Sequence, residues 1–261
     1  MRVAASRPFL GLGLLDAEPE AVAALLAARP AGAPFAYLVT PNADHFVRLA
    51  QEQALRPLYE QAAWRTLDSR AVALAARLLG LASPAVAPGA DILAALLEGH
   101  VRQGDRLTVI GLCLQGVAVL RLRLPGVEIA HHLPPPGLAG DPAACRAAVA
   151  FALAHPARFT LFAVGSPLQE SLALSTKSAA GATGAGLCIG AGLDFWTGVT
   201  PRAPRWMRRA GLEWTFRLFQ DPERLWRRYL VVDPAILRFL LAERSQSRGR
   251  RGVRWPAGPP V

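Results

Sequence analysis

The chain has 261 residues and 27.8 kDa, enough for one large α/β domain with a substantial core, or for such a domain plus an appendage. Hydrophobic residues make up 52% and charged residues 18%, which argues against a disordered chain, and no run of about 18 apolar residues offers a transmembrane helix. The formal net charge is +10, and residues 201–261 carry +9 of it through fourteen arginines against five acids.

Residues 1–20 hold a short apolar patch that soon turns acidic, so no secretory signal is expected. Cys113, Cys145 and Cys188 lie far apart, form no CxxC pair and are odd in number, as suits reduced thiols in a cytosolic protein. The apolar run 35–40 reads as a strand, and 44–63 as a helix with a break near Pro57. A short strand at 64–68 leads to a helix over 70–80, which Gly80 closes. A helix over 91–104 ends at Gly104, 106–111 is a strand, and 116–124 is a helix. A strand at 127–133 precedes the loop 134–142, and Asp141-Pro142 starts the next helix. The strand 158–165 leads into a helix from about Pro167, and 187–195 reads as a buried strand and its exit. This alternation predicts an α/β fold, a mostly parallel sheet with helices on both faces.

After Gly198 the pattern changes. Residues 202–219 read as one basic helix, and Asp221-Pro222 starts another. At about 100° per residue, Arg224, Arg227 and Arg228 share a narrow arc of that helix, opposite Leu225, Trp226, Tyr229 and Leu230. Asp233-Pro234 starts a third helix bearing Ile236, Leu237, Phe239, Leu240 and Leu241. The expected organisation is a core over 1–198, a helical appendage over 199–244, and a structureless basic tail over 245–261.

Several segments have the composition of a site. In open α/β sheets ligands bind beyond the carboxyl ends of strands, where Thr40, Asn42 and Asp68 are expected. Thr40 and Asn42 suit a sugar or nucleotide, or a helix N-cap. Asp68 suits a general base, or a cap of the helix over 70–80. The turn 111–116, with Gly111 at its head, can present backbone N–H groups to a phosphate, but it has neither GxGxxG nor GK[ST]. Gly165 allows close backbone approach before Gln169 and Glu170 in a first helical turn, and the absence of GxSxG disfavours a serine hydrolase around Ser166. His131-His132 lacks companion ligands at metal spacing. Arg217, Arg224, Arg227 and Arg228 suit phosphate oxygens, or a solvated face.

Taken together and in order, these segments resemble the WecG/TagA/CpsF glycosyltransferases (family twenty-six). The resemblance rests on TPNADHFVRLAQEQALRPLYEQAAWRTLDSRAVALAARLLG, APGADILAALL, VGSPLQE and, most specifically, GLDFWTGVTPRAPRWMRRAGLEWTFRLFQDPERLWRRYL, from about residue 35 to 241. It implies a Rossmann-like core with a C-terminal helical appendage that completes the site at the membrane. It implies inverting transfer from a UDP-sugar to a polyprenyl-diphosphate-linked acceptor, for surface polysaccharide, without an obligatory metal or other cofactor. Asp68 then matches the general base; Thr40, Asn42 and Gln169 match the sugar pocket; and Asp194 matches a nucleotide-site aspartate. Arg217, Arg224 and Arg227 match appendage arginines that clamp diphosphate. The implied location is the inner face of the bacterial plasma membrane, peripherally bound to anionic lipid, with no nucleic acid as partner. The chain departs from the family pattern at Ser69, Val86, Leu112, Leu168, Cys188 and Ala191.

Two rival readings are a degenerate transferase acting as a scaffold and a nucleic-acid-binding protein whose arm is 201–261. The second leaves the polar residues at the strand ends without a role. Apolar patches on the body are compatible with a homo-oligomer.

Overall fold

The structure, a computed structural model, describes residues 5–249. Six parallel strands form the sheet: β3 (Ala36–Val39), β4 (Trp64–Arg65), β5 (Arg106–Gly111), β6 (Glu128–His132), β7 (Phe159–Ala163) and β8 (Ala185–Cys188), in the order β4-β3-β8-β7-β5-β6. The inner strands are apolar and almost entirely buried, as helices on both faces require. Side chains alternate between two cores. On β3, Tyr37 and Val39 face one core and Leu38 the other; on β8, Cys188 faces the first and Leu187 the second. The predicted α/β architecture is therefore present, with helices on both faces of the sheet.

One face is covered by α1 (Pro19–Ala27), α5 (Gly89–Gly99), α6 (Leu114–Arg123) and α9 (Gly192–Thr197), through Val22, Leu26, Ile92, Leu96, Leu120 and Leu193. The other is covered by α2 (Ala43–Gln51), α3 (Arg56–Glu60), α4 (Arg70–Leu78), α7 (Pro142–Ala154) and α8 (Leu168–Ser178).

Several predicted boundaries change. The N-terminal segment contains a hairpin, β1 (Ser6–Phe9) and β2 (Leu12–Leu15), that the sequence reading left unassigned. Its two-residue turn, Leu10-Gly11, has φ of +48° and +78°, the primed geometry that suits a twisted hairpin. The helix expected over 44–63 breaks twice, with a 3-10 turn at Gln53–Leu55 before α3. The buried strand expected in 187–195 is β8, and its exit, to which no element was assigned, forms α9. The helix expected over 202–219 is two, α10 (Arg205–Arg209) and α11 (Glu213–Gln220), because Gly211 turns the chain at φ +74°.

Then follow α12 (Pro222–Arg227), a π-helical turn Arg228–Val232, a 3-10 turn Asp233–Ala235 and α13 (Ile236–Gly249). The π turn interrupts the regular helix on which the arginine arc rests. Beyond it α13 returns to the core, where Leu240 is fully buried and Ile236 nearly so against α2 and α4. The tail expected from Ser245 begins within α13, and residues 250–261 lie outside the described residues. Among the described residues no helix is long and apolar enough to cross a membrane.

Candidate active site

The carboxyl ends of β3, β4, β7 and β8 open into two cavities. One, of about 580 Å³, is polar and is lined by Thr40, Asn42, His45, Arg48, Gly165, Ser166, Gln169, Gly190, Asp194 and Arg224, among others. The other, of about 520 Å³, is largely apolar and lies between α4 and the segment Arg208–Leu237, against Val72, Ala75, Trp214, Tyr229, Leu230, Ile236 and Leu237. Both are lined by Asn42, Asp68, Pro88, Glu213, Arg217 and Arg228. Asp68 thus sits where a polar chamber meets an apolar one.

Local folding puts it there. The Asp68 N–H bonds to the Pro41 carbonyl at 2.9 Å, which continues the β3–β4 pairing and brings Thr40 and Asp68 together. Asp68 Oδ2 accepts from Thr40 Oγ1 at 3.4 Å and from the Gly89 N–H at 3.4 Å. A side chain at Gly89 would meet Thr40 Oγ1 at 2.9 Å, so the glycine makes room for this contact. The capping that Asp68 was also eligible for falls to Ser69, whose hydroxyl accepts from the Val72 N–H at 3.2 Å. Ser69, one of the family departures, therefore has a local explanation.

The Asp68 carboxyl is pushed up to about 7, first by burial and then by the nearby Glu213. The Gly89 N–H, Arg217 and Arg202 oppose that rise. At neutral pH the group then exchanges a proton readily in either direction, which is what a general base near working pH needs. Replacing Glu213 by glutamine removes the negative neighbour and lowers the Asp68 pKa. The acid limb of the pH–rate profile is expected to move to lower pH in Glu213→Gln; an unchanged limb means that Asp68 does not control it.

Asn42 holds two roles at once: its Oδ1 accepts from the His45 N–H at 3.4 Å as N-cap of α2 and from Arg228 Nη2 at 3.2 Å. Gln169 lines the polar cavity, but both ends of its amide are already engaged. Nε2 donates to Glu170 Oε1 at 2.9 Å and Oε1 accepts from the Gly190 N–H at 2.8 Å, which ties the β8–α9 loop to α8. Asp194, half-buried in the first turn of α9, has its carboxyl raised by burial. Gly165, at φ +79°, lines the same cavity.

Gly111 lies outside both cavity walls. A side chain there would meet the Ala163 carbonyl oxygen at 2.5 Å, so close packing of β5 on β7 accounts for it. His131 Nε2 lies 2.9 Å and 3.0 Å from the Gly111 and Leu112 carbonyl oxygens. Val86 bridges Leu67 in parallel register and packs on the core, and Cys188 is buried in β8.

The four appendage arginines separate. Arg217 lines both cavities, with its guanidinium over the Phe195 ring at 5.6 Å. Arg224 stands at the rim, 72% exposed and paired with Asp221. Arg227 lines neither cavity and lies over the Trp226 ring at 5.9 Å. Arg228 takes the inward place, lining both cavities and pairing with Asp44 at 3.6 Å.

Sequence reasoning missed one cluster. Asp91, in the first turn of α5, meets Arg202 Nη1 at 2.7 Å, Arg208 Nη1 at 3.2 Å and Arg70 Nη2 at 3.5 Å. Arg202 also approaches Glu213 at 3.6 Å. One carboxylate thus joins the appendage to the loop that carries Asp68. Both partners were visible, in APGADILAALL and in RAPRW, but nothing in the chain order says that they meet.

The comparisons agree with this geometry. Residues 8–250 match the glycosyl transferase WecG/TagA/CpsF family. The chain is 26% identical over 220 residues to the N-acetylglucosaminyldiphosphoundecaprenol N-acetyl-beta-D-mannosaminyltransferase of Bacillus spizizenii, an alignment covering 82% of each protein. The match takes in the sheet, both cavities and the appendage alike, so this chain belongs to the WecG/TagA/CpsF family and is a glycosyltransferase.

Proposed function

We propose that the protein transfers a sugar from a UDP-sugar to a polyprenyl-diphosphate-linked saccharide, with inversion, in bacterial surface polysaccharide assembly. The observation that carries the reading is the position of Asp68 on the wall common to a polar and an apolar cavity. The polar cavity suits a nucleotide sugar, and the apolar one suits an acceptor attached to a lipid. The Bacillus spizizenii relative is named for a lipid-linked acceptor of this kind.

In this reading the acceptor hydroxyl attacks the anomeric carbon from the side opposite the diphosphate. Asp68 takes the hydroxyl proton as the new C–O bond forms. The bond from the anomeric carbon to the β-phosphate oxygen breaks, and its electron pair leaves with UDP. Arg217 and Arg228, with Arg224 at the rim, stabilise that charge, because guanidinium forks match phosphate oxygens and are held in place before the reaction starts. No step is assigned to a metal or other cofactor.

The acceptor's lipid requires a membrane, and the appendage carries the means. Trp206, Phe219, Trp226, Leu230, Val231, Leu237 and Leu241 are large, apolar and exposed, among numerous arginines. This composition suits peripheral binding at the inner face of the plasma membrane, with aromatic side chains in the interface and arginine at anionic headgroups. Arg202, Arg208, Arg217 and Arg228 turn instead to internal carboxylates and cavity walls, which disfavours a nucleic-acid arm. Phe219→Ser together with Leu230→Ser is expected to weaken co-sedimentation with anionic vesicles by about tenfold or more and to leave UDP binding intact. Unchanged co-sedimentation excludes this face as the membrane contact.

The function is tested by incubating the protein with bacterial membranes and a panel of labelled UDP-sugars, then counting label in the lipid extract. Label from one donor establishes the transfer and names the sugar. No label from any donor, despite UDP binding, favours the scaffold reading.

A further inference from the structure

One wall of the polar cavity is unused by this chemistry. His45 lines it, only 6% exposed, as the third residue of α2. Its Nδ1 accepts from the Asn42 N–H at 3.4 Å, completing the capping box. A backbone N–H only donates, so Nδ1 must present its lone pair. Burial, then Arg48 and Arg228, hold the ring neutral. A neutral imidazole with its lone pair on Nδ1 carries its hydrogen on Nε2. Among the described residues no protein atom accepts that hydrogen within hydrogen-bond distance.

Arg48 stands on the same wall. Its Nη2 donates to Asp44 at 2.8 Å and to Ser166 Oγ at 3.1 Å, while its buried Nε has no partner. The Ser166 hydroxyl, which takes the Arg48 bond, also lies 3.4 Å from the Tyr59 hydroxyl. His45 Nε2–H therefore reaches the cavity with no protein acceptor, whereas Arg48 Nε is enclosed, in a group that also holds the unpartnered Glu170 Oε2. A ligand oxygen that displaces cavity solvent from the His45 Nε2–H gives that donor a fixed acceptor.

We propose that His45 and Arg48 form a donor corner of the polar cavity that binds an acceptor oxygen of the donor substrate, with His45 Nε2–H as a substrate-binding contact. This rests on the cavity being the nucleotide-sugar site. The corner accepts a hydroxyl, carbonyl or phosphoryl oxygen and rejects a group that only donates.

The test is calorimetric titration of UDP and of a UDP-N-acetylhexosamine into the wild type, His45→Asn and His45→Gln. Asparagine places an oxygen where Nδ1 stands, so the cap survives, but it is too short to present a donor at Nε2. Glutamine reaches that point with its amide nitrogen. The expected result is a Kd for the UDP-sugar raised about tenfold in His45→Asn and partly restored in His45→Gln. If UDP alone weakens equally, the oxygen belongs to the nucleotide; if only the UDP-sugar weakens, it belongs to the sugar. An unchanged Kd in His45→Asn overturns the proposal and leaves His45 a capping residue. A wild type that binds neither ligand overturns the cavity reading and this proposal with it.

Should His45→Asn not fold, ring-¹⁵N-labelled wild type decides. One of the five histidine Nε2 signals is expected to move on saturation with the UDP-sugar, and no movement in any overturns the assignment.

Discussion

Asp68→Asn is expected to lower transfer by about a thousandfold while UDP binding stays within about twofold of the wild type. Asparagine keeps the size of the side chain and an oxygen for the Gly89 N–H and the Thr40 hydroxyl, so the β3–β4 ends retain their shape. What it loses is the ability to take the acceptor proton. The wild type carries a second signature. In the proposed reaction the base works as the carboxylate, and burial has raised the Asp68 carboxyl to about 7. The protonated, inactive fraction therefore grows as pH falls through 7. The kcat/KM of the wild type is expected to fall about tenfold per pH unit on the acid side, and the residual activity of Asp68→Asn to lack that limb. Transfer near the wild-type rate in the variant assigns the base elsewhere. A retained acid limb in the variant does the same.

Arg217→Ala is expected to reduce kcat by about a hundredfold to a thousandfold, the range for losing one preorganised donor at a site of developing charge. Arg217 lines both cavities and is held over Phe195. It also lowers the Asp68 pKa through space. Its removal therefore does two separable things. It withdraws charge from the departing diphosphate, which appears as a lower kcat at every pH. It also lets the Asp68 pKa rise, which moves the acid limb of the profile upwards, opposite to the shift expected of Glu213→Gln. Arg217→Lys restores the charge but not the fork, so the acid limb is expected to return while kcat recovers only in part. A variant whose kcat is unchanged assigns the leaving-group charge to Arg228 and Arg224 instead.

The elements most legible in the sequence were the buried parallel strands. β3, β5 and β7 are mostly apolar runs, interrupted inside the sheet only by the buried Thr108 and Thr160, with turn residues at their ends, as sheets covered on both faces require. The strand ends carry the site, so Thr40, Asn42 and Asp68 could be placed at a shared edge before any coordinates. The N-terminal hairpin was not legible, because SRPFLGLGLL shows two short strands of four residues with glycines that read as breaks. The helix α9 at the exit of β8 was not legible, because it is only six residues long and follows the apolar strand closely.

The sequence by itself determined the family, the α/β class and the basic, aromatic character of the C-terminal block, all of which are local composition and ordered motifs. Tertiary structure alone decided which of those arginines line the cavities. Arg227 and Arg228 are neighbours of the same type, and a regular helix puts both on one arc. Consecutive residues point about 100° apart on a helix, and the way the segment is seated turns Arg228 into the wall common to both cavities while Arg227 lies over Trp226. Tertiary structure also brought Asp91 to Arg202 and Arg208 across more than a hundred residues. The reason in both cases is that the placement depends on contacts between segments far apart in the chain, such as Ile236 and Leu240 of α13 on the core beside α2 and α4, which no local pattern encodes.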